Sequence, residues 1–412
     1  MTGAPGRGAV RFVVATVLID SIGFGIVMPV LPEIVMRLGH VALPEATRIG
    51  GWLAVVYAAV QFLTGPLVGN LGDRFGRRPV ILGAMAGFAI DYALMGFAPT
   101  LAWLFVGRAF AGVFGASFGP AGAALADISA PGERARYFGM MGAAFGIGFI
   151  IGPAIGGLLG EFGPRAPFHA AAAIAAANFL FGLFAFPETL PASLRRPFDW
   201  RRANPLGALR SLRRLHGVLA LMAATFWWNL AGMVYPTIWP YYTIAAFGWT
   251  PRLIGLSLAV VGVMMAGSQM FLVGRIVARL GERRAAALGI LGATIQFLCY
   301  TILTNGLLVF AVLLLMPLQA LAMPALGGLT SRRVPADAQG ELQGFSGSVA
   351  AVAAVLAPAL FAPSLAWFTG PHAPFRFVGA PFALAAAASL IALVILLAGG
   401  RRDGQMPPAT AS

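Results

Sequence analysis

Lysine is absent from this sequence, and all 28 of its basic residues are arginines. So complete an absence reads as codon bias rather than chemistry. Cysteine occurs once, at Cys299, which excludes an intramolecular disulfide and leaves the compartment open. The residue lies within an apolar run, where its place is packing. Charge is scarce as well: 10% of the 412 residues are charged, against roughly 25% in soluble domains. An ordinary water-facing surface is thereby excluded. Polar stretches are short with one exception, so no soluble catalytic module can fold between the apolar runs. We find no metal-ligand cluster, nucleophile–base pairing or phosphate loop, so nothing calls for a cofactor or a metal, and an enzyme is disfavoured.

What is present is apolar. Hydrophobic residues make up 59% of the chain, and the mean hydropathy is +0.84. A helix needs about 20 apolar residues to cross the bilayer core. Runs of that order fall at 10–32, 48–71, 79–98, 101–126, 136–160 and 167–187, and again at 216–246, 253–274, 284–304, 307–330, 342–368 and 375–398. These predict an all-α protein with twelve transmembrane helices and both termini on one side. The first run follows Arg7 and Arg11 as a signal peptide would, but it is too long and lacks a small-residue cleavage site, so it reads as a retained helix.

The net charge of +14 does not point to nucleic acid, because the arginines form no single patch and are not interleaved with exposed aromatics. Topology accounts for them. Counted by alternating loops, about 22 of the 28 lie on the side of the termini, which the positive-inside rule makes cytoplasmic. Arg37, Arg48, Arg165, Arg252 and Arg376 lie on the other side, and Arg108 lies within a span. A plasma (inner) membrane location follows as an expectation.

The chain repeats itself. Gly69-Asn-Leu-Gly-Asp-Arg-Phe-Gly-Arg-Arg78 is echoed by Gly274-Arg-Ile-Val-Ala-Arg-Leu-Gly-Glu-Arg283, about 205 positions on. The same displacement carries Gly139 to Gly344, Gly142 to Gly347 and Pro153 to Pro358. Parallel half-repeats of this size in a membrane protein point to a transporter. The long polar stretch, 188–215, separates residues 1–187 from 216–412, each expected to form a six-helix bundle. Its arginines, among them Arg195, Arg196, Arg201 and Arg202, either set topology or bind anionic lipid.

In the loop between spans two and three, which Gly69 opens, Gly72 and Gly76 permit a tight turn, and Pro79 suits a helix start. Asp73, followed by Arg74 in the same motif, can face a helix N-terminus, while Arg77 and Arg78 can reach carboxylates or carbonyls on neighbouring helices. The loop serves as a conformational latch or simply as a basic topology signal. In span five, Gly148, Gly152, Gly156 and Gly157 form a smooth face and Pro153 a bend, which suits close helix packing. Asp20, Asp91 and Arg108 are the ionisable residues at membrane depth. At about 1.5 Å per residue, Asp20 lies roughly 13 Å from the cytoplasmic end of its span and Asp91 roughly 18 Å from that end. Arg108, entering from the opposite face, comes level with Asp91. Depth favours an Arg108–Asp91 pair that leaves Asp20 free to load a proton; purely structural pairing of all three is the alternative.

The loop pattern Gly-x-x-x-Asp-Arg-x-Gly-Arg-Arg resembles the signature of the major facilitator superfamily. The span-five pattern Gly-x-x-x-Gly-Pro-x-x-Gly-Gly resembles that of its proton-coupled antiporters. The strings Leu18 to Pro32, Ala89 to Tyr92, Arg108 to Gly112, Met323 to Leu326 and Gln339 to Gly344, together with Gln61, are similar to the tetracycline efflux group. The resemblance implies alternating access, proton coupling through Asp20, Asp91 and Arg108, and a gating cluster of Asp73, Arg77 and Asp127. It also puts Gln61 and Gln269 on the cavity wall and gives a drug substrate, protons and the lipid bilayer as partners, with the monomer as the working unit.

One departure concerns the second half. Where the best-known tetracycline exporters carry an acid in span nine and a histidine in span eight, this chain has Ala293 and Met265. The repeat replaces Asp73, Asp20, Asp91 and Arg108 by Ala278, Thr225, Gln296 and Leu313. Proton work is therefore expected in the first half alone, with Gln296 a neutral contributor to the cavity. In span seven, Trp227, Trp228 and Asn229 are at a depth suited to a flat drug, unless they are packing residues; Trp239, Tyr241 and Tyr242 are expected in an interfacial belt. An exporter of other drugs or of a metabolite, and less readily a uniporter or importer, are the rival readings.

Overall fold

A computed structural model describes residues 5–115, 118–130, 132–199, 218–335 and 338–403. All regular structure among them is helical. In the first half, α1 is Gly8–Gly39, α2 Leu43–Phe75 and α3 Arg77–Phe97. α4 comprises Leu101–Phe114 and Phe118–Ile128, α5 is Arg136–Phe162 and α6 Ala166–Ala185. In the second half, α8 is Pro251–Leu280, α9 Glu282–Ile302, α11 Gln339–Thr369 and α12 Ala380–Gly399. These helices are long and apolar enough to cross a membrane.

Two of the twelve expected spans are not the continuous helices read from the sequence. α7 consists of Leu219–Gly232 and Val234–Phe247, meeting at Met233. Pro236 lies in the first turn of the second segment, where its missing N–H is tolerated but cannot continue the preceding helix. α10 is Gly306–Leu313 followed by Met316–Ser331, bent by 42°, with Pro317 and Pro324 depriving its middle of donors. Much of the expected 188–215 connection, from 200 to 215, lies outside the described residues, with Pro205 and the arginines from Arg201 to Arg214.

Within each half the helices pack against one another: α1 on α5 and α6, α3 on α6, α9 on α12, α7 on α12. Between the halves, α5 packs on α8 and α2 on α11. These cross-contacts lie toward the end remote from the termini. A Cβ on Gly157 would meet the backbone of Pro251, Arg252 and Gly255, and one on Gly51 would meet Ala362. Toward the end bearing the termini, Gly139, Gly142 and Gly146 on α5, Gly267 and Gly274 on α8, and Gly344 and Gly347 on α11 have open space beside them. The named contacts between the halves thus lie at one end, and open space lies beside α5, α8 and α11 at the other.

The glycine face of α5 is what allows this packing. Cβ atoms on Gly148 and Gly152 would each lie 2.6 Å from an α1 atom, Ser21 Cβ and Ile22 O respectively, and one on Gly156 would strike Ile26 O. Pro153 sits inside α5 and lies against Gly25 of α1 and Gly255 of α8. The small residues let three backbones approach at one level, with little side-chain entropy to lose.

Candidate functional site

Among the described residues, the buried charges lie in the first half. Asp91 on α3 is fully buried, and Arg108 on α4 donates through Nη2 to its Oδ2 at 2.5 Å. The Arg108 guanidinium also lies 5.7 Å from the centre of the Tyr57 ring, a favourable position for a cation over an aromatic face. Gly107 brings α4 close: a Cβ there would lie 2.9 Å from Asp91 Oδ1. Asp20 on α1 has no cation partner among the described residues; Asn178 Nδ2 on α6 donates to its Oδ1 at 3.4 Å. It lines a cavity of about 300 Å³ with Thr16, Tyr57 and Gln61, walled by Phe24, Phe88 and Phe145. A second cavity, of about 510 Å³, shares Gln61 and Gly115 and reaches down to Asp73 and Arg77. One carboxylate is thus held in an ion pair, and the other faces a space that a proton or a ligand can enter.

The loop after α2 brings its charges together. Arg77 Nη1 meets Asp73 Oδ1 at 2.7 Å and Arg77 Nε meets Asp127 Oδ2 at 3.0 Å, tying α2, α3 and α4. Gly76 turns the chain at φ +103°, a conformation that costs an L side chain dearly. Arg78 donates to the Leu183 carbonyl at the end of α6. Arg74 is exposed and lies over Phe75, and Gly69 borders the second cavity. The echo keeps the turn, with Gly281 at φ +76°, and Arg283 donates to Leu396 and Leu397 at the end of α12. With Ala278 in place of Asp73, it has no counterpart of the Asp73–Arg77 pair.

Sequence reasoning missed two contributors. Glu188, just after α6, accepts from the backbone N–H groups of Arg77, Thr189 and Leu190 at 2.8–3.0 Å, and Arg195 lies 3.6 Å from it. Arg196 N–H donates to the Asp73 carbonyl, so the chain after α6 folds back onto the latch. The Arg77–Glu188 and Asp73–Arg196 contacts join residues over 100 positions apart, which no local pattern signals. Asn178 was findable: it is a lone amide in an apolar span, and polar groups at that depth need a reason.

Several expected cavity residues stand elsewhere. Gln296 is fully buried in the second bundle, with its Nε2 donating to Tyr300 Oη and the Val312 carbonyl, each at 3.3 Å, so it does not reach a cavity wall here. Trp228 is buried in the core, Trp227 packs edge-on against Phe226, and Asn229 donates to Thr225 O on its own helix. None of the three lines the Asp20 cavity. Trp239, Tyr241 and Tyr242 are buried rather than interfacial. Trp239 Nε1 donates to Ser257 Oγ and Tyr242 Oη to Tyr300 O, so their polar ends are satisfied inside the protein rather than by headgroups. Gln61 does face the cavity, and donates to Gly115 O at 2.8 Å; Gln269 donates to Ala320 O at 3.3 Å.

The sequence profile described as Major Facilitator Superfamily matches residues 13–358 and 230–410. The chain belongs to the major facilitator superfamily. This major facilitator protein is a transporter, not an enzyme. It is 39% identical over 374 residues to the class C tetracycline resistance protein of Escherichia coli, covering 88% of this chain and 94% of that one. The class B protein of Escherichia coli is 34% identical over 361 residues, covering 86% and 88%. Multidrug resistance protein 2 of Bacillus subtilis (strain 168) is 28% identical over 370 residues, covering 89% and 90%. Among solved structures, a bacterial homologue of the human lysosomal transporter Spinster, inward-facing and occupied, superposes with a TM-score of 0.77 at 14% identity, covering 99% of this chain and 100% of that one. The latter likeness is one of fold.

Proposed function

We propose that this protein is a proton-coupled antiporter that exports tetracycline-like or other amphipathic drugs by alternating access. The observation that carries the reading is the division of labour between two carboxylates: Asp91 is paired with Arg108, while Asp20 faces a cavity with no cation beside it among the described residues. A proton arriving from outside neutralises Asp20 and favours one orientation; its release to the cytoplasm resets the cycle. Residues 1–187 and 216–412 act as the two rocking bodies, joined by 188–215, with the cleft at the terminus-bearing end as the cytoplasmic entrance. The arginine count favours termini in the cytoplasm and an inner-membrane site. The aromatic walls at Phe24, Tyr57, Phe88 and Phe145 suit a flat amphipathic solute, and one chain contains both halves, so the monomer suffices.

The test is uptake into inside-out vesicles energised by a pH gradient, comparing tetracycline with unrelated drugs. Tetracycline uptake coupled to proton release supports the reading. The second reading is a multidrug or metabolite exporter, favoured by the neutral Ala293 and Met265 in the second half. Proton release by another solute, with none by tetracycline, selects it.

A further inference from the structure

Gln61 and Gln269 make the same contact in the two halves. Gly115 C-caps the first segment of α4, and its carbonyl accepts from Gln61 Nε2 on α2. Ala320 C-caps the Met316–Gln319 segment of α10, and its carbonyl accepts from Gln269 Nε2 on α8. Gly115 and Ala320 are related by the displacement of 205 that relates Gly69 to Gly274. The glutamines themselves are not: the repeat carries Gln61 to Ala266. α8 runs through a π-helical stretch, Ser268–Val273, and this wider turn re-aims Gln269, nearly one turn further on, at the equivalent carbonyl.

The carbonyl in the second half has a clear need of a donor. In a regular α-helix Ala320 O would accept from the N–H of residue 324, but that residue is Pro324 and has none. Ala320 is 3% exposed, so water does not readily replace the missing donor. In the first half the held carbonyl lies about two turns from Arg108 on α4.

We propose that Gln61 and Gln269 are a matched pair of hinge pins. They position α4 and α10 by satisfying carbonyls at segment ends, and do not serve chiefly as contacts for the exported molecule. The uptake arm of the test rests on the drug-exporter reading; the distance arm does not.

The experiment is suppression. Gln269→Leu removes the pin, and Pro324→Ala restores a backbone N–H that can take its place. Gln269→Leu is expected to lower the maximal rate of tetracycline uptake by inside-out vesicles about tenfold with KM within about twofold, the scale set by a buried carbonyl losing its donor. The Pro324→Ala/Gln269→Leu double variant is expected to recover to within about threefold of wild type. A double variant as slow as the single one, or a large rise in KM with the maximal rate retained, overturns the proposal. If Gln269→Leu fails to reach the membrane, recovery of its expression by Pro324→Ala supports the pin and no recovery overturns it. Should wild type carry no tetracycline, the tetracycline reading falls and the pin is judged by distance alone. Spin labels at positions 138 and 279, in a Cys299→Ser background, report the separation of α5 and α8. A distribution altered by Gln269→Leu and restored by Pro324→Ala supports the pin; one that Gln269→Leu leaves unchanged overturns it.

Discussion

Arg108 reaches from α4 to Asp91 on α3, and the repeat-equivalent place holds Gln296 on α9 donating to the Val312 carbonyl on α10. Both halves thus retain a buried hydrogen bond between corresponding helices, but in the second half it carries no formal charge, since Leu313 stands where Arg108 does. A buried ion pair costs much to break from one side and little to replace whole.

Removing one partner is therefore expected to be worse than removing both. Asp91→Gln or Arg108→Leu alone should destabilise the protein by about 3–5 kcal/mol, whereas Asp91→Gln/Arg108→Leu, which copies the second half, should recover most of that loss. Thermal unfolding in detergent measures it. Additive losses would show that the two residues do not act as a unit.

Asp20 is expected to be the proton carrier. Asp20→Asn should reduce gradient-driven drug accumulation about a hundredfold or more, with bound drug still detectable at equilibrium, while Asp20→Glu keeps measurable coupling. Full accumulation by Asp20→Asn would assign the proton to another group.

The glycine face of α5 gives a spatial prediction. Gly156→Ala places a methyl group into the Ile26 carbonyl and should cost about 1–3 kcal/mol. Gly142→Ala, with open space beside it, should be close to neutral. Equal melting temperatures for the two variants would contradict the close α1–α5 contact.

Glu188 holds three backbone amides, and its loss leaves them without that acceptor. Glu188→Ala should speed amide hydrogen exchange at Arg77, Thr189 and Leu190 by about tenfold, with α9 unaffected. Unchanged exchange at those sites would mean that the acceptor does not protect them.

Much of this protein is legible along the chain. Apolar runs of spanning length mark most of the helices, because hydrocarbon tolerates few other structures. The depth of Asp91 and Arg108 put them level, and regular helical rise made that reckoning sound. Gln296 and Trp239 show where such reasoning stops. Each lies at a depth that suits a cavity or an interface, but depth does not say which way a side chain points. That depends on how the helix is rotated against its neighbours, and the neighbours of Gln296 and Trp239 come from α10 and α8.

The sequence alone determined the helical membrane architecture, the two-fold repeat and the confinement of buried charge to the first half, since these follow from hydropathy, residue order and composition. Tertiary structure decided which polar groups meet. The hold of Glu188 on Arg77, the nearness of Asn178 to Asp20 and the matching contacts of Gln61 and Gln269 all join separate helices. Their physical reason is the need to satisfy buried donors and acceptors away from water, and partners for that purpose are chosen by distance in space, which the order of residues does not record.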